Sequence, residues 1–344
     1  MNKREFGVNK KGEKATMYTF ENKNGMIMEV TDFGATLYSL WIPTADGKLD
    51  VVLGYDDPAG YEGPSGTFFG ATVGRNANRI GKACFTLNGV TYQLDKNDNG
   101  KNSLHSGFDP QSFRIWNVKE VGENFITFSL HSPDGDQGFP GALDMEVTYT
   151  LTEDNAVKID YLGVPQADTI INYTNHSYFN LNGHASGAIT KHTVWVDADF
   201  YTPADVESIP TGEIAPVEGT PMDFRVKKEV GRDIEVDFEA LNFGHGYDHN
   251  WCLNNHGQFA KVAEASGDVS GITMEVYTDL PGVQIYTANF LEKEPGKSGV
   301  VYARRNGICF ETQFYPDAPN HDNFPSSQCK AGETYKTTTM YKFL

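Results

Sequence analysis

The sequence lacks any apolar run near the ~18 residues that a membrane-spanning helix needs. Basic residues are also few, with 28 Lys and Arg against 46 Asp and Glu, which gives a formal net charge of −18. Such a charge repels nucleic acid and anionic membrane, so neither is expected as a partner. Residues 1–7 include basic side chains but no apolar stretch follows them, so no secretory signal is predicted. A signal trimmed before Met1 would leave no trace here.

Cysteine is scarce, and the spacing of the cysteines does not match that of a metal site. The four residues, Cys84, Cys252, Cys309 and Cys329, are scattered and form no Cys-x-x-Cys pair. This pattern predicts reduced thiols and a cytoplasmic protein, with neither a disulfide framework nor a structural zinc site.

Helical periodicity, internal repeats and linker-like segments are nearly absent. One short helix is predicted over 226–230, after Asp223 as its N-cap. Without a linker there is no sign of a domain boundary, so residues 1–344 are expected to form a single domain. Residues 1–14 are polar and are expected to be a loose lead-in.

What the chain has instead is alternation with a period of two, in short segments separated by turns. Apolar residues alternate at 26, 28 and 30, at 145, 147, 149 and 151, and at 157, 159 and 161. Segments of this kind predict an all-β fold of antiparallel sheets, best read as one large β-sandwich. Residues 85–92 predict a hairpin with a type I′ turn, because Asn88 and Gly89 both tolerate the positive φ that this turn needs.

Residues 172–183 are the strongest candidate for chemistry. The segment begins like an apolar strand, ends at the Asn182-Gly183 turn signal, and carries His176 among Asn, Ser and Tyr residues. Each unpaired polar group in a buried strand costs about 1–3 kcal/mol, so these side chains must bond one another or a polar ligand. His176 is therefore either a core histidine held by its neighbours or part of a site.

Two turn-rich loops add candidates. Residues 74–80 contain Arg75 and Arg79 but match neither the P-loop nor the dinucleotide fingerprint. The arginines are open to three interpretations: a phosphate cradle, a guanidinium fork that holds hydroxyls or a carboxylate, or a surface loop. Residues 102–107 place His105 in a loop, where a single histidine is usually solvent-exposed.

Later segments contain isolated polar residues. His245 and His249 have a zinc-like spacing on a helix, but Gly244 and Gly246 argue against a helix, so a metal site is rejected. Asp248 between them suits hydroxyl binding. The acidic loop 133–141 resembles a calcium loop without the required Glu and is predicted to be structural.

Two strands with single polar residues complete the set of candidates. Gln284 lies in an apolar strand, and Glu311 follows Phe310 in another. A glutamate so placed is seldom buried unless it is paired or functional, and its pKa would be tuned by that environment.

The ordered motifs resemble those of the aldose 1-epimerases, the galactose mutarotases, over nearly the whole chain from about Gly25. The matching segments are 74–80, 102–107, 132–141, 175–181, 209–213, 247–250 and 310–313. The resemblance implies a single large antiparallel β-sandwich of the galactose mutarotase-like supersandwich type, and an enzyme without a cofactor. It also implies interconversion of the α and β anomers of free hexoses such as galactose and glucose. The protein is expected to be a monomer or a homodimer.

The resemblance also assigns residues. It implies that His176 donates a proton to the ring oxygen, that Glu311 is the base for the anomeric hydroxyl, and that His105 is a second active-site histidine. The implied sugar-binding positions are Asn78, Arg79, Tyr178, Asp248 and Gln284. Ser106 and Asn76 depart from the common pattern, which affects only loop detail and sugar preference.

The chemistry fits these residue types. Mutarotation needs one proton removed from the C1 hydroxyl and one delivered to the ring oxygen. With unperturbed pKa values of about 4.3 and 6.5, a glutamate is ionised and a protonated histidine can donate. Tyr178 or Phe290 is expected to cover an apolar face of the sugar, and the sequence does not choose between them.

Three rival interpretations remain open at this stage. A non-catalytic sugar-binding module would also combine aromatic and polar residues on a β-sandwich. A glycosidase would use two carboxylates, for which Glu311 and Asp248 are available, but it leaves His176 without a role. A hexose-phosphate mutarotase keeps the reaction and changes the substrate.

Overall fold

A computed structural model describes residues 1–63 and 65–344. Strands make up most of the regular structure, and the longer α-helix has only six residues. In chain order the strands are β1 Asn2–Val8, β2 Lys14–Glu21, β3 Ile27–Thr31, β4 Thr36–Thr44, β5 Gly47–Asp50, β6 Thr72–Val73, β7 Arg79–Ile80, β8 Cys84–Leu87, β9 Val90–Gln93, β10 Ser103–Leu104, β11 Asn117–Val121, β12 Phe125–Ser132, β13 Leu143–Leu151, β14 Ala156–Pro165, β15 Thr169–Ile170, β16 Thr174–Asn175, β17 Tyr178–Phe179, β18 Thr193–Val196, β19 Phe200–Thr202, β20 Ala215–Pro216, β21 Lys228–Glu229, β22 Asp248–Cys252, β23 Ala260–Ser266, β24 Thr273–Thr278, β25 Gly282–Tyr286, β26 Glu294–Pro295, β27 Val301–Tyr302, β28 Ile308–Gln313, β29 Gln328–Cys329 and β30 Tyr335–Phe343.

Helical segments are short and lie between strands. The α-helices are α1 Pro58–Tyr61 and α2 Glu239–Gly244, and the 3-10 turns are Gly81–Ala83, Gln111–Phe113, Asp136–Gly138, Val230–Arg232, Lys297–Gly299 and Ala318–Asn320. Within the described part of the chain, no helix is both long and apolar enough to span a bilayer.

Three antiparallel sheets form the framework. One has nine strands in the order β11-β12-β13-β14-β30-β24-β23-β18-β21, one has six in the order β17-β28-β25-β22-β19-β20, and one has five in the order β1 to β5. β30, the last strand, pairs with β14 and β24 in the middle of the nine-stranded sheet. The predicted all-β sandwich is confirmed.

The main core lies between the nine-stranded sheet and the other two. Alternation puts one face of each strand inside, as in β13, where the four apolar residues predicted to share a face are all buried. The three sheets contribute to one apolar cluster, which includes Phe20 and Met28 from the five-stranded sheet, Val283 and Phe310 from the six-stranded sheet, and Val147 and Tyr341 from the nine-stranded sheet. Because Phe310 faces this core, its neighbour Glu311 must face the other way, out of the sandwich.

The predicted hairpin is present, with β8 paired to β9 and positive φ at Asn88 (52°) and Gly89 (78°). Turn chemistry is local, so a short sequence suffices to encode it.

Two sequence-based predictions were wrong. Within the expected lead-in, β1 is an edge strand paired with β2, and its one buried side chain, Phe6, packs edge-on against Tyr38. An edge strand needs backbone pairing and few inward residues, so its sequence resembles a polar tail.

The short helix predicted over 226–230 does not form. Lys228 instead belongs to β21, which pairs with β18, and its ammonium donates to Asp233 Oδ2 at 2.7 Å. Asp223 caps no helix: its carboxylate binds the Arg225 backbone N–H (3.1 Å) and guanidinium (2.8 Å).

Candidate active site

The face of the six-stranded sheet opposite the core carries a row of polar side chains. Glu311 on β28 lies directly across from Gln284 on β25, which lies across from Asn250 on β22. Directly opposed residues point to the same face, so the register alone groups these three. Glu311 is only 2% exposed, because loops from the first half of the chain cover this face.

Between the sheet and the loops is a cavity of about 150 Å³. Its described lining consists of Ser65, Gly66, Thr67, Asn78, Arg79, Leu104, His105, His176, Tyr178, Asp248, Tyr286, Phe290, Leu291, Glu294 and Glu311. Seven of the eight expected site residues are in this set. The eighth, Gln284, lies behind it and reaches the cavity through Asp248, whose Oδ1 accepts a hydrogen bond from Gln284 Nε2 at 2.7 Å.

The loop that carries His176 is fixed by its own polar residues. Asn175 donates through Nδ2 to the Gly70 carbonyl (2.8 Å), and Ser177 Oγ donates to Asn175 Oδ1 (2.6 Å). The His176 backbone N–H donates to the Ala71 carbonyl at 2.9 Å. The neighbours therefore satisfy one another, and the His176 ring lines the cavity.

His105 is held in one tautomer by the backbone. The ring nitrogen Nδ1 accepts a hydrogen bond from the Asn78 backbone N–H at 3.1 Å, and the backbone N–H of His105 donates to the Asn78 carbonyl at 3.1 Å. Both residues have positive φ (50° and 62°), which Asn and His tolerate better than most. Because Nδ1 is an acceptor, neutral His105 carries its proton on Nε2.

Ser106 and Asn76, the two positions expected to depart from the resemblance, contact each other. Ser106 Oγ accepts from the Asn76 N–H at 2.8 Å and donates to the Asn76 carbonyl at 3.1 Å. Their effect is thus on the loop that carries Asn78.

His176 and Glu311 face each other at the base of the cavity. The distance from His176 Nε2 to Glu311 Oε2 is 3.5 Å, and that carboxyl oxygen accepts no hydrogen bond from any described residue. A buried oxygen without a hydrogen-bond donor costs free energy, so this atom favours binding of a polar ligand that donates to it. The cavity beside it provides the space for such a ligand.

Burial disfavours charge on all three groups at the base. It lowers the pKa of His176 to about 4. It lowers the pKa of His105 well below its usual value, and the charges of His176 and Arg79 add to the effect. Burial, and then the charge of Asp248, raise the pKa of Glu311 well above its usual value. The unperturbed pKa values of about 4.3 for glutamate and 6.5 for histidine therefore do not hold in this pocket.

The two arginines of the 74–80 loop have separate roles. Arg79 lines the cavity and its Nε donates to Asp98 Oδ2 at 3.1 Å. Arg75 is fully buried and points away, donating to the carbonyls of Pro140 (2.9 Å) and Gly141 (2.7 Å). Arg75 thus holds the acidic loop predicted to be structural.

Aromatic rings line one side. Tyr178 is buried and stacks on His176 with centroids 5.1 Å apart, whereas Phe290 is 58% exposed at the mouth and stacks on Tyr286 at 6.3 Å. Tyr286 and the mouth residues Ser65, Thr67 and Glu294 were not identified from the sequence. No motif marks them, because they come from loops and strand ends that only folding brings together.

One cluster in the cavity combines side chains that can ligate a metal ion. Among the described residues, the group of three or more His, Cys, Asp or Glu side chains close enough to share an ion is His105, His176 and Glu311, with ligand atoms within 4.8 Å of one another. His245 and His249 are not in this group: His245 is the C-cap residue that follows α2, and His249 Nδ1 accepts a hydrogen bond from the Asp248 N–H at 3.1 Å.

A family model described as aldose 1-epimerase matches residues 16–342. This chain belongs to the aldose 1-epimerase family. It is 44% identical to an aldose 1-epimerase of Haemophilus influenzae over 95% of both chains. It is 43% identical to a bovine galactose mutarotase, over 92% of this chain and 90% of that one.

Solved structures agree. An aldose epimerase homologue from C. elegans superposes with a TM-score of 0.86 at 28% identity, covering 95% of this chain and 98% of that one. A galactose 1-epimerase from Lactobacillus acidophilus gives the same TM-score at 27% identity, covering 100% and 98%. The protein is therefore an isomerase that interconverts the anomers of an aldose, and its small-molecule partner is a sugar.

Proposed function

We propose that the substrates are free hexoses, galactose and glucose, and that the cavity above the six-stranded sheet is the active site. The observation that carries the proposal is the approach of one buried carboxyl and one buried imidazole, 3.5 Å apart, where a polar ligand has room. The names of the relatives, galactose mutarotase and galactose 1-epimerase, support the choice of sugar.

The reaction needs only two proton transfers and a bond rotation. Glu311 removes the proton from O1 while His176 Nε2 delivers one to the ring oxygen, the C1–O5 bond breaks, and C1=O1 forms. After rotation about C1–C2, O5 attacks the other face of C1, Glu311 returns its proton to O1, and His176 recovers its own. Each positioned transfer is worth about 10²–10⁴-fold.

The shifted pKa values decide how the protons are stored. Burial lowers the pKa of His176 to about 4 and raises the pKa of Glu311 well above its usual value, so a proton shared by the pair is held mostly on Glu311. The reactive form, with Glu311 ionised and His176 protonated, has the same total charge and differs only in the position of that proton. This reactive form arises when the proton moves from Glu311 to His176 across the 3.5 Å between Oε2 and Nε2, directly or through the substrate.

His105 has a different role. Its neutral state and its Nε2 proton, set by the Asn78 N–H, make it a hydrogen-bond donor to a sugar oxygen rather than a proton donor. Asn78, Arg79 and Asp248 hold the ring, and Gln284 fixes the Asp248 carboxylate. Fixing the ring in this way keeps both proton paths short.

Tyr178 and Phe290 divide the apolar contact. Buried Tyr178, stacked on His176, forms the inner wall, and Phe290 forms the outer one.

Polarimetry on freshly dissolved α-galactose and α-glucose tests the proposal. Catalytic amounts of protein are expected to speed the approach to anomeric equilibrium for both sugars. A sugar-binding module would leave that rate unchanged, and a glycosidase would instead release sugar from a chromogenic glycoside.

We further propose that the enzyme acts in the cytoplasm, as a monomer or homodimer. The four free thiols support a reducing compartment. Fractionation and sedimentation of the native protein test these two points.

A further inference from the structure

The mouth of the cavity carries a carboxylate that the proposed reaction does not use. Glu294 lines the cavity together with Ser65 and Thr67. It is half-buried and Ser65 is exposed, whereas Glu311 at the base is 2% exposed. Glu294 therefore lies at the mouth of the pocket, and Glu311 lies at its base.

The Glu294 carboxylate is held by hydroxyl groups. Its Oε1 accepts hydrogen bonds from Tyr55 OH (2.7 Å) and Ser65 Oγ (3.2 Å). Tyr55 is itself fixed, because its OH also bonds Thr67 Oγ1 at 3.0 Å and its ring packs on Phe69 at 5.0 Å. Neutral donors orient the carboxylate without neutralising it.

Little positive charge offsets it. Among the described lining residues, Arg79 is the sole Lys or Arg, and it is already paired with Asp98 at 3.1 Å. Asp248 adds a second acidic group to the lining. Lys293, next to Glu294 in the chain, is exposed and does not line the cavity.

The position of the reacting atoms orients the sugar. C1 must lie at the base, over the His176–Glu311 pair, with O1 toward Glu311 and the ring oxygen toward His176. The opposite end of the ring, C4 with C6 beside it, then faces the mouth. A hydroxyl there can donate to Glu294. A phosphate or carboxylate at C6 meets a fixed negative charge in a partly desolvated mouth, where repulsion is stronger than in water.

We propose that Glu294 is a specificity-determining residue that restricts the pocket to uncharged sugars by repelling negative charge at the end remote from C1. This inference rests on the proposed function, because it uses the assignment of His176 and Glu311 to C1. It locates the discrimination in one residue, rather than in the net charge of −18.

The test compares Glu294→Gln with wild type on galactose and galactose 6-phosphate. The matched control is Glu292→Gln, which removes the same charge from an exposed residue two positions away that does not line the cavity. Polarimetry gives kcat/KM for both sugars at low and high ionic strength. Where turnover of the ester is too slow to measure, its inhibition constant against galactose replaces it.

Glu294→Gln is expected to raise the ester-to-sugar ratio of kcat/KM at least about fivefold at low salt, with a smaller gain at high salt. Glu292→Gln should stay within about twofold of wild type. If Glu294→Gln fails to fold by circular dichroism, Glu294→Lys is expected to change the ratio in the same direction and more strongly.

An unchanged ratio in folded variants, or an equal rise in the Glu292 control, would overturn this inference alone. A wild-type protein inert toward galactose would overturn the proposed function, and the inference with it.

Discussion

Glu311 and His176 are ionisable side chains in a buried environment that disfavours their charged forms. Both are nearly inaccessible, and the aromatic rings of Tyr178 and Phe68 lie over the imidazole, with centroids 5.1 and 6.2 Å away. Desolvation reverses the usual order of their pKa values, since it raises the pKa of the Glu311 carboxyl and lowers the pKa of the His176 imidazole. A sugar that binds here replaces water with positioned groups, which is what general acid–base catalysis requires.

Replacing Glu311 with Gln is expected to lower kcat at least ~100-fold with little change in KM. The amide keeps the shape but cannot take the proton from O1. Initial rates by polarimetry measure the effect, with exposed Glu120→Gln as a control that should retain wild-type kcat. Wild-type kcat in Glu311→Gln would remove the residue from the mechanism. His176→Asn is expected to be as damaging.

The pH dependence of kcat/KM is expected to be a broad plateau that holds while the His176–Glu311 pair carries one proton. The acid limb, near pH 4, is where His176 gains a proton beside protonated Glu311. The basic limb follows the raised pKa of Glu311, where the pair loses its proton. Burial thus reverses the assignment that unperturbed values would give. Rates from about pH 3 to 10 check this, and a steady climb to high pH would exclude an acid from the rate-limiting step.

Prolonged dialysis against a chelator is expected to leave the mutarotation rate unchanged. His105 and His176 with Glu311 form a set of metal-ligand types, but the carboxyl has a raised pKa and must lose its proton before it binds a cation. The proposed proton transfers also need His176 and Glu311 free of a metal ion. Activity lost on chelation and restored by one metal ion, with metal content followed by atomic emission, would contradict the cofactor-free mechanism.

At the scale of elements, the site depends on strand register and on loops anchored far from it. The register of β28 on β25 places Glu311 beside Gln284, and a slip by one residue would turn Glu311 into the core. The loop 74–80 is anchored by Arg75, which joins it to residues 132–141 through bonds to three carbonyl oxygens and to Ser132 Oγ. Such a strut fixes the backbone at Asn78, which sets the tautomer of His105.

Arg75→Lys is expected to lower the free energy of unfolding by about 2–4 kcal/mol, because an ammonium cannot reproduce the forked bonds and leaves buried carbonyls unpaired. Urea denaturation measures the loss. Arg4→Lys serves as the control. Arg4 is half-exposed and forms a loose ion pair with Glu29 at 3.7 Å, and a surface pair of this kind contributes at most about 1 kcal/mol. Equal losses in the two variants would show that the buried fork contributes nothing special.

At the scale of the molecule, several histidines are buried in the neutral form. Burial lowers the pKa values of His176, His192 and His249 to about 4 each. Between pH 6.5 and 4 these histidines are therefore protonated in the unfolded chain but not in the native protein. The free energy of unfolding consequently decreases as pH falls through this range. Asp32, whose pKa burial raises to about 6, opposes this trend below pH 6.

His192 allows the linkage to be isolated away from the active site. It is fully buried, its Nε2 accepts the Leu181 N–H at 3.0 Å, and Asp268 lies 3.5 Å from Nδ1. His192→Gln is expected to be destabilising at pH 8, and this cost should shrink by about 2 kcal/mol at pH 5, where wild-type His192 must stay unprotonated. Urea unfolding at the two pH values checks it. A cost independent of pH would mean that His192 titrates alike in both states.

Much of this protein is determined by its sequence over short distances. The period-two alternation of Met145, Val147, Tyr149 and Leu151 fixes which face of β13 is buried. Asn88-Gly89 fixes the turn of the β8–β9 hairpin. Glu311 in an apolar strand indicates a functional site, because a buried glutamate without a partner is energetically costly. These features are legible because the interactions that encode them join residues a few positions apart.

Only the tertiary structure decided the rest. It turned Arg75 away from the cavity and Arg79 toward it, although both belong to one loop. It made an edge strand of β1 and placed Glu294 at the mouth, 239 positions along the chain from Tyr55, which orients it. It shifted the pKa values of His176 and Glu311 by burying both side chains among segments that are distant in the sequence. Desolvation and long-range contact depend on what the whole chain packs around a residue, and no local pattern carries that information.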